Sequence, residues 1–173
     1  CGANAVAEPS HLAQFAVMGS VYAREILGAA RPRVGVLCNG TEEGKGTELT
    51  KETAKLCAQL ELNFIGYCEG FDLFNDGVDV VVCDGFIGNI VLKTCESLSK
   101  TIGRLLKNEV KANPLRAVGG ALAKGAFTAL KRRMDPEVYG GAAVLGVNGI
   151  VIKAHGSSRE RAFASAIRVA ADE

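Results

Sequence analysis

The chain has 173 residues, 48% hydrophobic and 23% charged, with a formal net charge of +1 and a pI near 7.8. This is the composition of a soluble globular chain with a sizeable core, and it excludes a globally basic nucleic-acid binder. No apolar run reaches the roughly 20 residues needed to span a bilayer. The six cysteines include no C-x-x-C pair and no histidine at metal spacing, so they predict reduced packing thiols in a reducing cytoplasm, with no metal and no disulfide framework. The chain opens on Cys1 rather than methionine, which points to a processed product or a piece of a longer protein.

In chain order, Ser10 predicts the cap of a first helix carrying Leu12, Phe15, Tyr22, Ala23 and Ile26, closed by Gly28 before the break at Pro32. Val34-Gly35-Val36-Leu37-Cys38 reads as a short buried strand. It leads through Asn39 to Gly46 into a helix with Leu49, Thr53, Leu56, Cys57 and Leu60. Asn63 to Cys68 is a further strand, followed by a loop over Glu69 to Asp72 and a strand at Val80 to Cys83. Continuous apolar strands alternating with helices predict one α/β domain over residues 1–173, with a mostly parallel sheet flanked by helices.

A helical hairpin is predicted over about residues 90–134. Its first arm carries Val91, Cys95, Leu98, Ile102, Leu105 and Leu106, and its second runs unbroken from Leu115 to Met134 with Val118, Leu122, Ala126, Phe127 and Leu130. It is longer than a crossover needs and is expected to project from the body. From Lys100 onward Lys100, Arg104, Lys107, Lys111, Arg116, Lys124, Lys131, Arg132 and Arg133 face a single acid, Glu109. A basic amphipathic arm suits an anionic lipid surface; solvated charges on a dimerisation hairpin are the plainer reading, and the two can coexist.

Two segments repeat one device, an apolar strand, a glycine-bearing turn and a helix: Val80–Cys83 into Asp84–Asn89, and Ile150–Ala154 into His155–Ser158. Unpaired N–H groups and the macrodipole make such a helix start a seat for a small anion, phosphate above all. In the first, Gly85 and Gly88 bracket an apolar pair, Asn89 is expected to cap the helix, and Lys93 follows one turn later on the same face. In the second, His155 stands at a strand end with Gly156, Ser157 and Ser158 beside it. A third candidate is Lys45 between Gly44 and Gly46, either a mobile charge toward phosphate or a solvated turn; no Gly-Lys-Ser/Thr closes a P-loop there. There is no G-x-S-x-G elbow and no G-x-G-x-x-G fingerprint, so hydrolase and dinucleotide readings lose ground.

Gly2-Ala3-Asn4, Gln14 to Gly19, Pro32 to Leu37, Gly40-Thr41-Glu42-Glu43-Gly44-Lys45-Gly46, Asn63 to Gly66, Asp84 to Asn89 with Leu92-Lys93, Tyr139 to Ala142 and Ile152 to Ser158 together resemble the PlsX family, acyl-carrier-protein:phosphate acyltransferases of phospholipid synthesis. The blocks are collinear over nearly the whole chain and correspond to the C-terminal half of the family; its Asp-x-Met-Gly-Gly-Asp block does not occur in this sequence. The resemblance implies an isopropylmalate-dehydrogenase-like fold, a homodimer, peripheral membrane attachment through the hairpin, no cofactor, and transfer of an acyl group from acyl carrier protein to inorganic phosphate. Within it, Lys45 and Lys93 are expected to neutralise phosphate, Asn89 and the helix-start amides to bind phosphate or oxyanion, His155 to donate a proton to the departing thiolate, and Asn4 and Asp84 to orient. Two other readings stay open: an acetyl-phosphate-forming subunit of a reductase complex on the same scaffold, and a non-catalytic membrane-docking and dimerisation module.

Overall fold

The computed structural model describes residues 4–42, 44–133, 141–154 and 160–172. Two compact units divide the chain, Cys1–Leu92 and Lys93–Glu173.

In the first unit α1 spans Pro9–Glu25. Proline at the first helical position is preset for the helix, and Glu8 rather than Ser10 is the cap. The Glu8 side chain accepts from the His11 backbone, and His11 Nδ1 accepts the Glu8 N–H at 3.2 Å. Ser10 therefore lies inside the helix. Beyond its end Gly28 takes φ +75°, and the Ala29 N–H turns back onto the Ala23 carbonyl at 3.0 Å.

Three parallel strands, β1 (Arg33–Leu37), β2 (Asn63–Cys68) and β3 (Val80–Val82), form a sheet of order β2-β1-β3, with α2 (Glu48–Ala58) crossing between β1 and β2. The register slips between Val34 and Gly35, opposite Gly66, whose φ of +91° suits glycine. Side chains alternate across a strand, so Val34 and Val36 share one face. With Val82 they meet Leu12, Ala13 and Ala16 of α1 and Cys57 of α2 in the core. Packing is close: a Cβ on Gly19 would stand 2.8 Å from Val80 Cγ1. At the amino edge of the sheet Arg33 holds Asp79 through Nε at 2.9 Å, Nη2 at 3.0 Å and its backbone N–H at 2.7 Å. The architecture is α/β, a parallel three-stranded sheet flanked by helices, as the strand and helix alternation predicts.

Helix α3 (Gly85–Lys111) begins directly after β3 and continues into the second unit. Asn113 then accepts the Leu115 N–H at 2.8 Å and, with Pro114 at the first position, starts α4 (Pro114–Leu122). The expected unbroken second arm divides here. Ala123, with ψ near 5°, ends α4, and α5 runs Lys124–Arg133. At the turn Arg116 pairs with Glu109 at 2.7 Å, and a Cβ on Gly120 would run into the Val110 side chain. The predicted strand near Ile150 is present as β5 (Ile152–Lys153), but it pairs antiparallel with β4 (Ala142–Ala143) instead of extending the parallel sheet. Gly146 at φ +81° and Gly149 at φ +156° lie in the short connection, which favours a hairpin of sequence neighbours. Helix α6 (Glu160–Asp172) packs on β5 and buries Ala162 and Ala166. No helix among the described residues is long and apolar enough to cross a membrane.

Candidate active site

Neighbouring parallel strands put their carboxyl ends on one edge, where open α/β sheets bind ligands. Two predicted turns reach that edge in the first unit, one leaving β1 and one leaving β3.

The turn after β1 carries Lys45. Asn39 holds it from inside: its Oδ1 accepts the Gly46 N–H at 3.0 Å and the Cys38 thiol at 3.5 Å, while the Lys45 N–H reaches the Glu42 carbonyl at 3.1 Å. Gly44 and Gly46 take φ of +95° and +87°, and a Cβ on Gly46 would collide with Thr50 Oγ1 and lie 2.9 Å from Cys38 Sγ. Thr47 then caps α2, its Oγ1 accepting the Thr50 N–H at 3.3 Å. Lys45 is exposed at the end of a backbone fixed on both sides. The sequence marks Asn39 only as an amide residue between a strand end and a glycine, a common local hydrogen-bonder.

At the turn after β3 the helix starts earlier than the sequence suggests. Asp84, not Asn89, is the cap: its Oδ1 accepts the Ile87 N–H at 2.7 Å, and its carbonyl accepts from Gly88 at 3.0 Å. The Gly85 N–H goes to the Asn4 carbonyl at 2.8 Å. Gly85 and Gly88 are thus helical residues, and the dipole there already faces the Asp84 carboxylate. An incoming anion meets fewer open amides than a bare helix start offers. Asn89 lies in the second turn with its side chain exposed. Lys93, one turn further along α3, is 3.3 Å from Glu96. His155, Gly156, Ser157 and Ser158 lie outside the described residues.

Three buried thiols of the first unit are protected rather than reactive. Burial pushes Cys68 up to about 12, and burial likewise raises Cys83 and Cys57. Such groups stay protonated and are poor nucleophiles. Among the described residues no three histidine, cysteine or carboxylate side chains cluster as metal ligands. The arrangement supplies mobile cation, amide donor and backbone rigidity, which suits holding an anion more than forming a covalent intermediate.

The sequence profile of the family described as fatty acid synthesis protein matches residues 1–173. A phosphate acyltransferase from Citrifermentans bemidjiense is 49% identical over 169 residues, covering 98% of this chain and 48% of the relative. Those from Acidobacterium capsulatum and Syntrophotalea carbinolica are 50% and 51% identical, covering 99% and 98% of this chain and 51% and 49% of their own. The chain spans about half the length of these curated relatives.

Proposed function

Because this chain belongs to the fatty acid synthesis protein family, we propose that it carries part of the active site of an acyltransferase moving a fatty acyl group from acyl carrier protein to inorganic phosphate, yielding acyl phosphate for phospholipid synthesis. The observation that carries this reading is the Lys45 turn, fixed by Asn39 and Gly46 at the carboxyl edge shared with the start of α3.

The chemistry asks little of a protein nucleophile. A phosphate oxygen attacks the thioester carbonyl carbon, the C–O bond forms, the C–S bond breaks, and the thiolate, whose parent thiol has a pKa near ~8.5, departs and takes a proton. The protein's part is to hold an anion against the carbonyl and to stabilise the oxyanion. Lys45 and Lys93 lower the repulsion between phosphate and developing oxyanion, and Asn89 offers an amide donor. Asp84 and Asn4 fix the first turn of α3 through the hydrogen bonds described. His155, with Gly156, Ser157 and Ser158, is assigned the proton for the thiolate.

Acyl phosphate formation by the full-length protein tests this. Lys45→Ala and His155→Ala should each lower turnover about 100-fold, the scale of losing one transition-state donor; wild-type rates in both would remove the site. A preference for acetyl over long-chain donors would instead support the acetyl-phosphate reading.

A second reading, peripheral attachment to an anionic membrane, is favoured by α4. Its Gly120 side meets Val110 of α3, while Leu115, Val118 and Leu122, on the opposite side at helical spacing, are 80%, 59% and 86% exposed. Phe127 and Leu130 of α5 are exposed at 37% and 52%. A bilayer or a second copy in a homodimer would cover such a face. Flotation with anionic vesicles should be lost on Leu122→Glu; retained flotation assigns the face to the dimer.

A further inference from the structure

Helix α3 carries Lys93, Lys100, Arg104, Lys107 and Lys111, all exposed. At 100° per residue these positions fall within about 60° of one another and extend about 27 Å along the axis, so they form one stripe. The two carboxylates of this stretch are already engaged, Glu96 with Lys93 at 3.3 Å and Glu109 with Arg116 at 2.7 Å. Among the described residues no carboxylate pairs with Lys100, Arg104, Lys107 or Lys111. Like charges three and four apart weaken a helix, so this row would gain from an added row of counter-charge.

The position of the apolar residues tells which kind of anionic surface fits. Leu98, Ile102, Leu105 and Leu106 lie on the side of α3 opposite the cations. An interfacial helix inserts its apolar face and keeps its cations on the polar side. A bilayer that took α3 by these leucines would leave the stripe facing water, and one that touched the stripe would meet none of them. A protein surface with carboxylates in a row matches the stripe directly and gains on-rate and register from it.

We infer that the stripe is a docking track for an acidic protein, and, resting on the reading above, that this partner is the carrier delivering the acyl thioester. The stripe starts at Lys93, one helical turn after Asn89, so the docked carrier lies along the helix that bears a proposed substrate-binding amide.

The test uses full-length protein with Lys100, Arg104, Lys107 and Lys111 all changed to Gln, and a second variant with all four changed to Glu. The donors are acyl carrier protein and the same acyl group on pantetheine. For the carrier donor, KM should rise about tenfold or more and kcat/KM should lose most of its salt dependence. Its kcat, and turnover of acyl-pantetheine, should hold. An unchanged carrier KM overturns the inference, as does an equal loss with both donors. If instead vesicle flotation falls while carrier kinetics hold, the stripe meets the membrane and the inference also fails. Fluorescence anisotropy of labelled carrier on wild type and both variants reads docking without turnover, so it still decides the matter should wild type form no acyl phosphate and the functional reading fall.

Discussion

Gly46 shows how much of the candidate site is set by a missing side chain. Its φ of +87° is costly for any L-residue, and a Cβ there meets Thr50 and Cys38 before the turn can close. Gly46→Val should therefore move Lys45 and lower acyl phosphate formation at least tenfold, while the core, which it does not enter, keeps the far-UV circular dichroism of wild type. Normal turnover with Gly46→Val would mean that this turn does not position the reaction. At the other edge of the sheet the Arg33 hydrogen bonds hold Asp79 at about 2, below its ordinary 3.8. A depressed carboxyl stabilises the fold above its unfolded value and loses that contribution as pH falls through the folded one. Stability should thus decline from about pH 4 toward pH 2, and Asp79→Asn should flatten that part of a urea-midpoint profile. An equally steep profile in the variant would place the acid sensitivity elsewhere.

At the scale of elements, the start of α3 depends on one carboxylate. Asp84→Ala removes the acceptor for the Ile87 N–H and should lower stability by about 1 kcal/mol, within the 0.5–2 kcal/mol range of lost caps; Asp84→Asn should recover most of it, and an unaltered urea midpoint in the alanine variant would show the cap to be dispensable. The strands were legible because Val34 to Val36 and Val80 to Val82 are continuous apolar runs, the pattern a parallel sheet demands. The caps were less so. Ser10 and Asn89 are residue types that cap well, yet Pro9 sets the first turn of α1 two residues earlier than a Ser10 cap would, and Asp84 follows β3 so closely that the helix is under way before Asn89. Ala123 itself does not announce the end of α4, since alanine favours helix; the local sign is the glycines around it, Gly119, Gly120 and Gly125. The grip of Asn39 on Gly46 spans seven residues and depends on the turn already being closed, so no periodic pattern reveals it.

For the molecule as a whole, burial is unevenly distributed. Val34 and Val36 are fully buried among α1, α2 and the neighbouring strands, whereas α4 has no buried residue and α3 only Gly88. Local opening is governed by how much apolar contact an opening breaks, so amides of β1 should exchange hydrogen orders of magnitude more slowly than those of α4. Lipid then distinguishes what α4 is for. If Leu115, Val118 and Leu122 enter an anionic bilayer, phosphatidylglycerol vesicles supply the missing apolar contact and should slow exchange across Pro114–Leu122, leaving β1 unchanged, since its amides are already shielded by the core. Protection that rises in α4 with protein concentration, and not with vesicles, would assign the same leucines to a second copy of the chain. Slow exchange in α4 under both dilute and lipid-free conditions would contradict the premise that packing density, rather than helix propensity, sets the local stability of this chain.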